Sequence, residues 1–260
     1  MLGKKQHTDN AAWFEAMKNI EEQVSRDEME ELAQRTLAAM QEQTAEKRAA
    51  YAWSGGKDSI VLGHLCERIG ITDCMLGVCN LEYPAFMRWV EENKPSSCEV
   101  INTGQDVRWL AQHEEMLFPA NSAIASRWFA IVQHRAQRQY YKNHKLDILI
   151  LGRRRADGNY TGRNANIYTD GKGVTRYSPL ADWTHESVLA YIHYHKLPLP
   201  PAYGWEKGYL CGTHPWAARQ WTGSTENGWG EVYRIDPDIV SGAAAHIDSA
   251  RRFLEGVAKQ

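Results

Sequence analysis

The chain has 260 residues, 43% of them hydrophobic, a formal charge of −2 and five cysteines. That length can bury a sizeable core, as one α/β domain with additions or as two domains. No apolar run reaches the roughly 18 residues needed to cross a bilayer, and the opening MLGKKQHTDN lacks the apolar core of a signal peptide. The expectation is a cytoplasmic protein without membrane contact.

Cys66, Cys74, Cys79, Cys98 and Cys211 form no C-x-x-C pair, so neither a zinc ribbon nor a thioredoxin-like motif is present. An odd count without a secretion signal favours free thiols. The small net charge hides an asymmetry. Residues 9–47 carry ten Asp or Glu against four Lys or Arg, whereas residues 127–176 carry eleven Lys or Arg against three Asp. The middle of the chain is prepared to meet an anion; the alternative for residues 127–145 is a solvated helix face.

In chain order, Asp9 or Asn10 can cap a helix running to about Lys47, with Trp13, Met17, Ile20 and Val24, then Met29, Ala33, Leu37 and Met40, at three-and-four spacing. The five-residue step from Val24 to Met29 marks a possible break. This acidic arm, residues 1–47, is read as packing or as a homodimer contact rather than as catalytic. A strand over 48–53, a helix over 57–68, a strand over 74–79, a helix opened by Pro84 and a strand over 98–102 follow. Helical patterns cover 105–117 and 123–145, and 146–152 is the clearest strand. A hairpin is expected around Asp170-Gly171-Lys172-Gly173. Asp182 or Thr184 can cap a helix to about Lys196, closed by the prolines at 198, 200 and 201. Residues 203–260 are expected to be an irregular extension ending in a helix near 239–257. Strands alternating with helices imply a doubly wound, mostly parallel α/β sheet with right-handed crossovers, here over residues 48–202.

Ala52-Trp53-Ser54-Gly55-Gly56-Lys57-Asp58-Ser59 lies between the first strand and the first helix of that sheet. Gly55 and Gly56 let the backbone approach a phosphate, Ser54 and Ser59 add hydroxyls, and Lys57 supplies a point charge at the positive end of a helix. Asp58 implies a magnesium ion, because a carboxylate beside phosphates normally needs a cation between them. The alternative, an ordinary glycine-rich βα turn, suits a bare G-G-K better than S-G-G-K-D-S in this context. The spacing is not that of G-x-x-x-x-G-K-[ST].

These six residues resemble the PP-loop of the adenine nucleotide alpha hydrolase-like superfamily, the N-type ATP pyrophosphatases. Gly152-Arg153-Arg154 resembles the G-x-R segment of the phosphoadenylylsulfate (PAPS) reductase branch. Residues 178–192, SPLADWTHESVLAYI, resemble that branch's P-L-x-D-W-T-x-x-D-V-x-x-Y-I, with Ser187 in place of its usual Asp. Residues 197–203 resemble its L-P-x-x-x-x-Y. The likeness spans about residues 49–211. It implies ATP and Mg2+ as cofactors, with Lys57, Asp58, Arg153 and Arg154 catalytic and with Ser54, Gly55, Gly56, Lys57, Asp58, Ser59, Gly152 and Asn80 binding the nucleotide. Asn80 or Glu82 stands where relatives place an Asp; capping the helix at Pro84 is the alternative for both.

The chain departs from that branch at its end. The reductases' C-terminal Glu-Cys-Gly-Leu-His segment has no counterpart, and the last cysteine is Cys211. A structural role for Cys211 is favoured over a nucleophilic one, and without paired cysteines no iron–sulfur cluster is expected. The leading expectation is therefore cleavage of ATP between the α and β phosphates, with adenylation of a small-molecule or nucleic-acid substrate. The alternatives are binding or sulfur transfer from a sulfonucleotide such as PAPS or APS, and a nucleotide-binding part of a nucleic-acid thiolation or phosphorothioation system. Trp128, Tyr140, Tyr141 and Tyr160, interleaved with the basic segment, support the last. His185, His193 and His195 are not spaced as a metal cluster on one helix face. Trp205, Trp216, Trp221 and Trp229 are read as core.

Overall fold

In the computed structural model, which describes residue 2 and residues 8–259, the N-terminal arm is three helices. Most of MLGKKQHTDN, read above for a targeting signal, lies outside the described residues. Asp9 caps α1 (Asn10–Lys18) by accepting from Ala12 N at 2.8 Å. A short α2 (Ile20–Gln23) follows, and a capping box between Ser25 and Glu28 opens α3 (Arg26–Thr44) at the expected break. Trp13, Ile20, Met29, Ala33 and Met40, on the face read as a packing or dimer contact, are buried in the chain's own core.

The sheet strands are β1 (Ala49–Ala52), β2 (Cys74–Val78), β3 (Cys98–Asn102), β4 (Ile148–Ile150), β5 (Ile167–Thr169) and β6 (Thr175–Tyr177). Their order is β3-β2-β1-β4-β6-β5, every neighbouring pair parallel except β5 with β6. The expected hairpin is that antiparallel pair, and Asp170 closes its turn by accepting from Lys172 N and Val174 N. The chain steps from β1 outward to β2 and β3, then crosses to β4 on the other side of β1. The β1–β4 seam is therefore the switch point, where the carboxyl ends of the strands leave a crevice.

Alternation along the strands divides the core between the two faces of the sheet. Tyr51, Leu76, Ile148 and Ile150 join the cluster that includes α4 (Lys57–Arg68) and the arm, whereas Ala50, Met75, Ile101 and Leu149 pack with Ala136 and Tyr140. Between β2 and β4 run α5 (Pro84–Asn93), α6 (Val107–Ala111), α7 (Ser122–Ile131) and α8 (Gln133–Asn143). The expected single helix over 123–145 is divided at Val132, whose ψ of −77° departs from helical geometry. Thr184 rather than Asp182 caps α9 (His185–His195), accepting from Ser187 N at 3.0 Å.

Beyond residue 203 come α10 (Gly208–Cys211), α11 (Thr225–Ile235), α12 (Pro237–Ala244) and α13 (Asp248–Val257). The periodicity of the sequence shows only the last stretch, as one helix over 239–257 that the structure divides into α12 and α13 at residues 245–247, and Gly228 and Gly230 interrupt the pattern of α11. Glu231, buried in α11, holds Arg219 at 2.6 Å and also pairs with Lys207, tying these helices to the 206–221 segment. No helix among the described residues is long and apolar enough to cross a membrane.

The cap at Thr184 supports a test of the α9 docking. Thr184→Ala should lower the unfolding free energy by about 1 kcal/mol, the usual cost of losing such a cap, as measured by urea denaturation at neutral pH.

Candidate functional site

The loop 54–59 is knitted together by Ser59, whose Oγ accepts from Ser54 N at 3.0 Å and donates to Gly56 O at 2.9 Å. Gly55 has φ +65°, and a Cβ there would stand 2.8 Å from the Phe86 ring, so both conformation and packing require glycine. Gly152 is required for a different reason. A Cβ would lie 3.0 Å from the Asp58 carbonyl, because the end of β4 runs directly against the first turn of α4.

That close approach places Arg154 under the loop. Fully buried, its Nε donates to Asp58 Oδ1 at 2.7 Å, and its Nη2 pairs with Asp157 Oδ2 at 2.8 Å. The same guanidinium donates to Trp183 O at 3.1 Å and to His185 Nδ1 at 3.1 Å. The other oxygen of Asp58 accepts from Lys57 Nζ at 2.7 Å, and Lys57 is only 2% exposed. One carboxylate is thus shared by two cations, one from the helix start and one from the neighbouring strand.

A roof covers this chain of charges. Lys57 N donates to the Tyr203 hydroxyl at 2.7 Å, and Thr213 Oγ1 donates to Ser54 O at 3.0 Å. The Trp13 ring of α1 lies 5.6 Å from Lys57 Nζ, stacked on Tyr209 at 4.8 Å and edge-on to His185. Asn10 fixes the arm to the roof by donating to Trp205 O at 3.0 Å and accepting from Tyr209 N at 2.9 Å.

Arg153 turns the other way, as the alternation of an extended strand dictates. Its Nη1 donates to the Tyr168 hydroxyl at 2.6 Å and its Nη2 to His134 Nε2 at 2.9 Å. Each histidine accepting from an arginine must leave that ring nitrogen unprotonated. Accordingly, burial, reinforced by Arg153, Arg176 and Arg138, lowers the pKa of His134 to about 4. Burial, together with Arg154, lowers that of His185 to about 4. Asn80 lies at the exposed end of β2, accepting from Asn102 Nδ2 at 2.6 Å. Glu82 accepts from Cys79 N at 3.2 Å, and burial raises its pKa to about 8. Neither side chain caps α5.

The structure therefore brings together Ser54, Gly55, Gly56, Lys57, Asp58, Ser59, Gly152 and Arg154, and sets Arg153 and Asn80 apart from them. Sequence reasoning does not single out Asp157, His185, Tyr203, Thr213 or Trp13 as parts of the site. The i,i+3 spacing of Arg154 and Asp157 is a local signal, whereas nothing local links Trp13 to Lys57.

The donor set does not fit a protein-held magnesium ion. Both Asp58 oxygens already accept from cations, and among the described residues no group of three or more His, Cys, Asp and Glu is arranged around a common metal position. Cys211 is buried, its Sγ donates to Gln220 O at 3.8 Å, and burial raises its thiol pKa. It is a poor thiolate. His193 and His195 pair outward with Glu21 and Glu30. Of the tryptophans read as core, Trp216 and Trp229 are buried, while Trp221 is 52% exposed.

Residues 48–210, the β1-to-α10 unit that carries the loop and both arginines, match the family model described as the phosphoadenosine phosphosulfate reductase domain. The chain belongs to that family. Among solved structures, the PAPS reductase of Candida auris in a phosphate complex is 13% identical, with a TM-score of 0.49 over 68% of this chain and 90% of that one. The NMN synthetase of Francisella tularensis is 16% identical, with a TM-score of 0.45 over 86% and 92%. The NH3-dependent NAD synthetase of Campylobacter jejuni subsp. jejuni, in complex with nitrate, is 12% identical, with a TM-score of 0.44 over 85% and 93%. No curated protein matches the chain.

Two measurements test this geometry. Arg154→Met keeps the volume but leaves Asp58 and Asp157 without their buried cation, and should cost about 3–5 kcal/mol of stability in denaturant titration. The histidines give a pH signature. With folded-state values near 4, below the roughly 6.5 of an unfolded histidine, the unfolded chain takes up protons first as pH falls. Stability is therefore complete above about pH 6.5 and is lost toward pH 4. Urea unfolding at pH 7 and pH 5 should show the drop, and His134→Gln, which can still accept from Arg153, should reduce it.

Proposed function

We propose that this member of the phosphoadenosine phosphosulfate reductase family is an enzyme that binds ATP at the 54–59 loop and cleaves it between the α and β phosphates. The adenylyl group passes to an acceptor and pyrophosphate is released. The observation that carries the reading is the shared carboxylate: Asp58 fixes Lys57 and Arg154 at the start of α4. Negative charge grows on the bridging oxygen there as the α,β bond breaks. Cations already held in place need no reorganisation at that moment, which is the main electrostatic advantage of a preorganised site.

In this reaction an acceptor oxygen attacks the α-phosphorus in line. The new O–P bond forms, the bond to the bridging oxygen breaks, and pyrophosphate departs with the electron pair. Gly55 and Gly56 let the loop backbone reach the phosphates. An anionic acceptor oxygen has no proton to lose, and His185, with Nδ1 engaged by Arg154, is not placed to act as a base. Tyr203 and Trp13 lie over Lys57, so nucleotide binding moves them aside, and a phosphate oxygen takes over the Lys57 N–H from the Tyr203 hydroxyl.

Family membership favours one other reading, in which the ligand is a sulfonucleotide such as PAPS or APS. The buried, protonated Cys211 then requires the sulfur to pass to an external thiol. Calorimetry with ATP–magnesium, with PAPS and with adenosine 3′,5′-bisphosphate separates the two, since only one class should bind at micromolar concentration. Lys57→Ala should reduce ATP-dependent pyrophosphate release at least 100-fold, roughly the scale set by losing one charge-stabilising group. Release unchanged in that variant would sink the adenylylation reading.

A further inference from the structure

We propose that the α8 side of the crevice rim binds single-stranded nucleic acid, with Tyr160 as a base-stacking platform and Arg153 as a phosphate contact. The starting point is a charge imbalance. Arg153, half-buried, is bonded to two neutral groups, Tyr168 and His134, and no ion pair to it is found among the described residues. Beside it Arg176, 2% exposed, pairs with Asp170, while its Nε has no hydrogen-bond partner. Arg138 adds a third positive charge to the same surroundings of His134, and the carboxylate facing it there is Asp170. Cations withdrawn from water with too few counter-charges call for an anion from outside.

The surface around these arginines indicates which anion. Tyr160 is 58% exposed and packs edge-on at 5.0 Å against Tyr168, the tyrosine that accepts from Arg153, so an exposed ring stands beside that guanidinium. Arg163 is exposed on the same loop. From the rim, Arg135, Arg138 and Lys142 run down α8 at i, i+3 and i+7, a single stripe about 10 Å long at the helical rise. Arg135 and Lys142 are exposed, and none of the three is ion-paired among the described residues. With Arg153 and Arg163, this stripe gives the α8 side a positive surface complementary to a polyanion.

A small anion would need the under-neutralised arginines but neither the stripe nor the exposed ring. An acidic protein surface would need the stripe but not a flat aromatic beside a buried guanidinium. A nucleic-acid strand uses all three, with phosphates on the cations and a base on the tyrosine. The strand is single, because the bases of a duplex are already stacked on one another. Binding itself requires no nucleotide and does not rest on the proposed adenylyl transfer.

The test is fluorescence anisotropy of the full chain, without ATP, against a labelled DNA strand of about 20 nucleotides, an RNA of the same sequence and the DNA duplex, from about 50 to about 300 mM salt. A single strand should bind more tightly than the duplex, with affinity falling steeply as salt rises. The tighter of DNA and RNA identifies the strand. Tyr160→Ala should weaken binding about 5- to 100-fold. Arg135→Ser combined with Lys142→Ser should reduce the logarithmic salt slope by about 0.7 for each phosphate left without its cation. All three side chains are exposed, and circular dichroism controls for folding. Absence of binding at the lowest salt, binding that these variants leave unchanged, or equal affinity for duplex would each overturn the proposal.

Discussion

The carboxylate of Asp58 joins two elements that lie far apart in sequence. Lys57 holds one oxygen from the first turn of α4, and Arg154 holds the other from the end of β4. Because Arg154 is fully buried, its charge is tolerable only while Asp58, Asp157, Trp183 O and His185 surround it. The approach of Gly152 to the helix start brings that guanidinium to its partners, and His185, its pKa lowered by burial and then by Arg154, is held as an acceptor. The interaction is therefore as much a clamp between β1–α4 and β4 as a feature of the loop.

The roof over the clamp is assembled from distant pieces. The arm contributes Trp13 and Asn10, and the segment after α9 contributes Tyr203, Tyr209 and Thr213. Its interior is aromatic and its polar contacts converge on backbone groups of the loop, so it excludes water from Lys57 without adding a competing carboxylate. Low local polarity strengthens each charge interaction beneath it. It also ties access to the 54–59 loop to the position of the arm, since Asn10 bonds to Tyr203, Trp205 and Tyr209 of the roof at once.

Adjacent arginines at the end of β4 serve opposite faces of the sheet. Arg154 points to α4 and α9, and Arg153 points to α8 and β5. Pleating alone divides them, and the division leaves one guanidinium fully neutralised and the other under-neutralised beside Arg176. A single strand end can in this way supply a structural clamp on one side and an under-neutralised guanidinium on the other.

Much of this was legible in the sequence. Alternating apolar runs and helical patterns imply a mostly parallel α/β sheet, and S-G-G-K-D-S with the Gly152-Arg153-Arg154 segment places a glycine-rich loop and a basic segment at the β1 and β4 ends. Those features are local, decided by period, glycine chemistry and short spacing. Helix interruptions at Asn19 and Val132, the helix over 225–235 and the break between α12 and α13 were not legible, because weak periodicity there is overridden by packing. Nor was the allotment of Arg153 and Arg154 to different faces, the engagement of both Asp58 oxygens, or the roof of Trp13 and Tyr203 over Lys57. Those depend on contacts between residues tens to hundreds of positions apart. The sequence determined which groups were available at the switch point; only the tertiary structure decided which of them face one another, because burial and charge pairing are properties of the assembled core and not of any one segment.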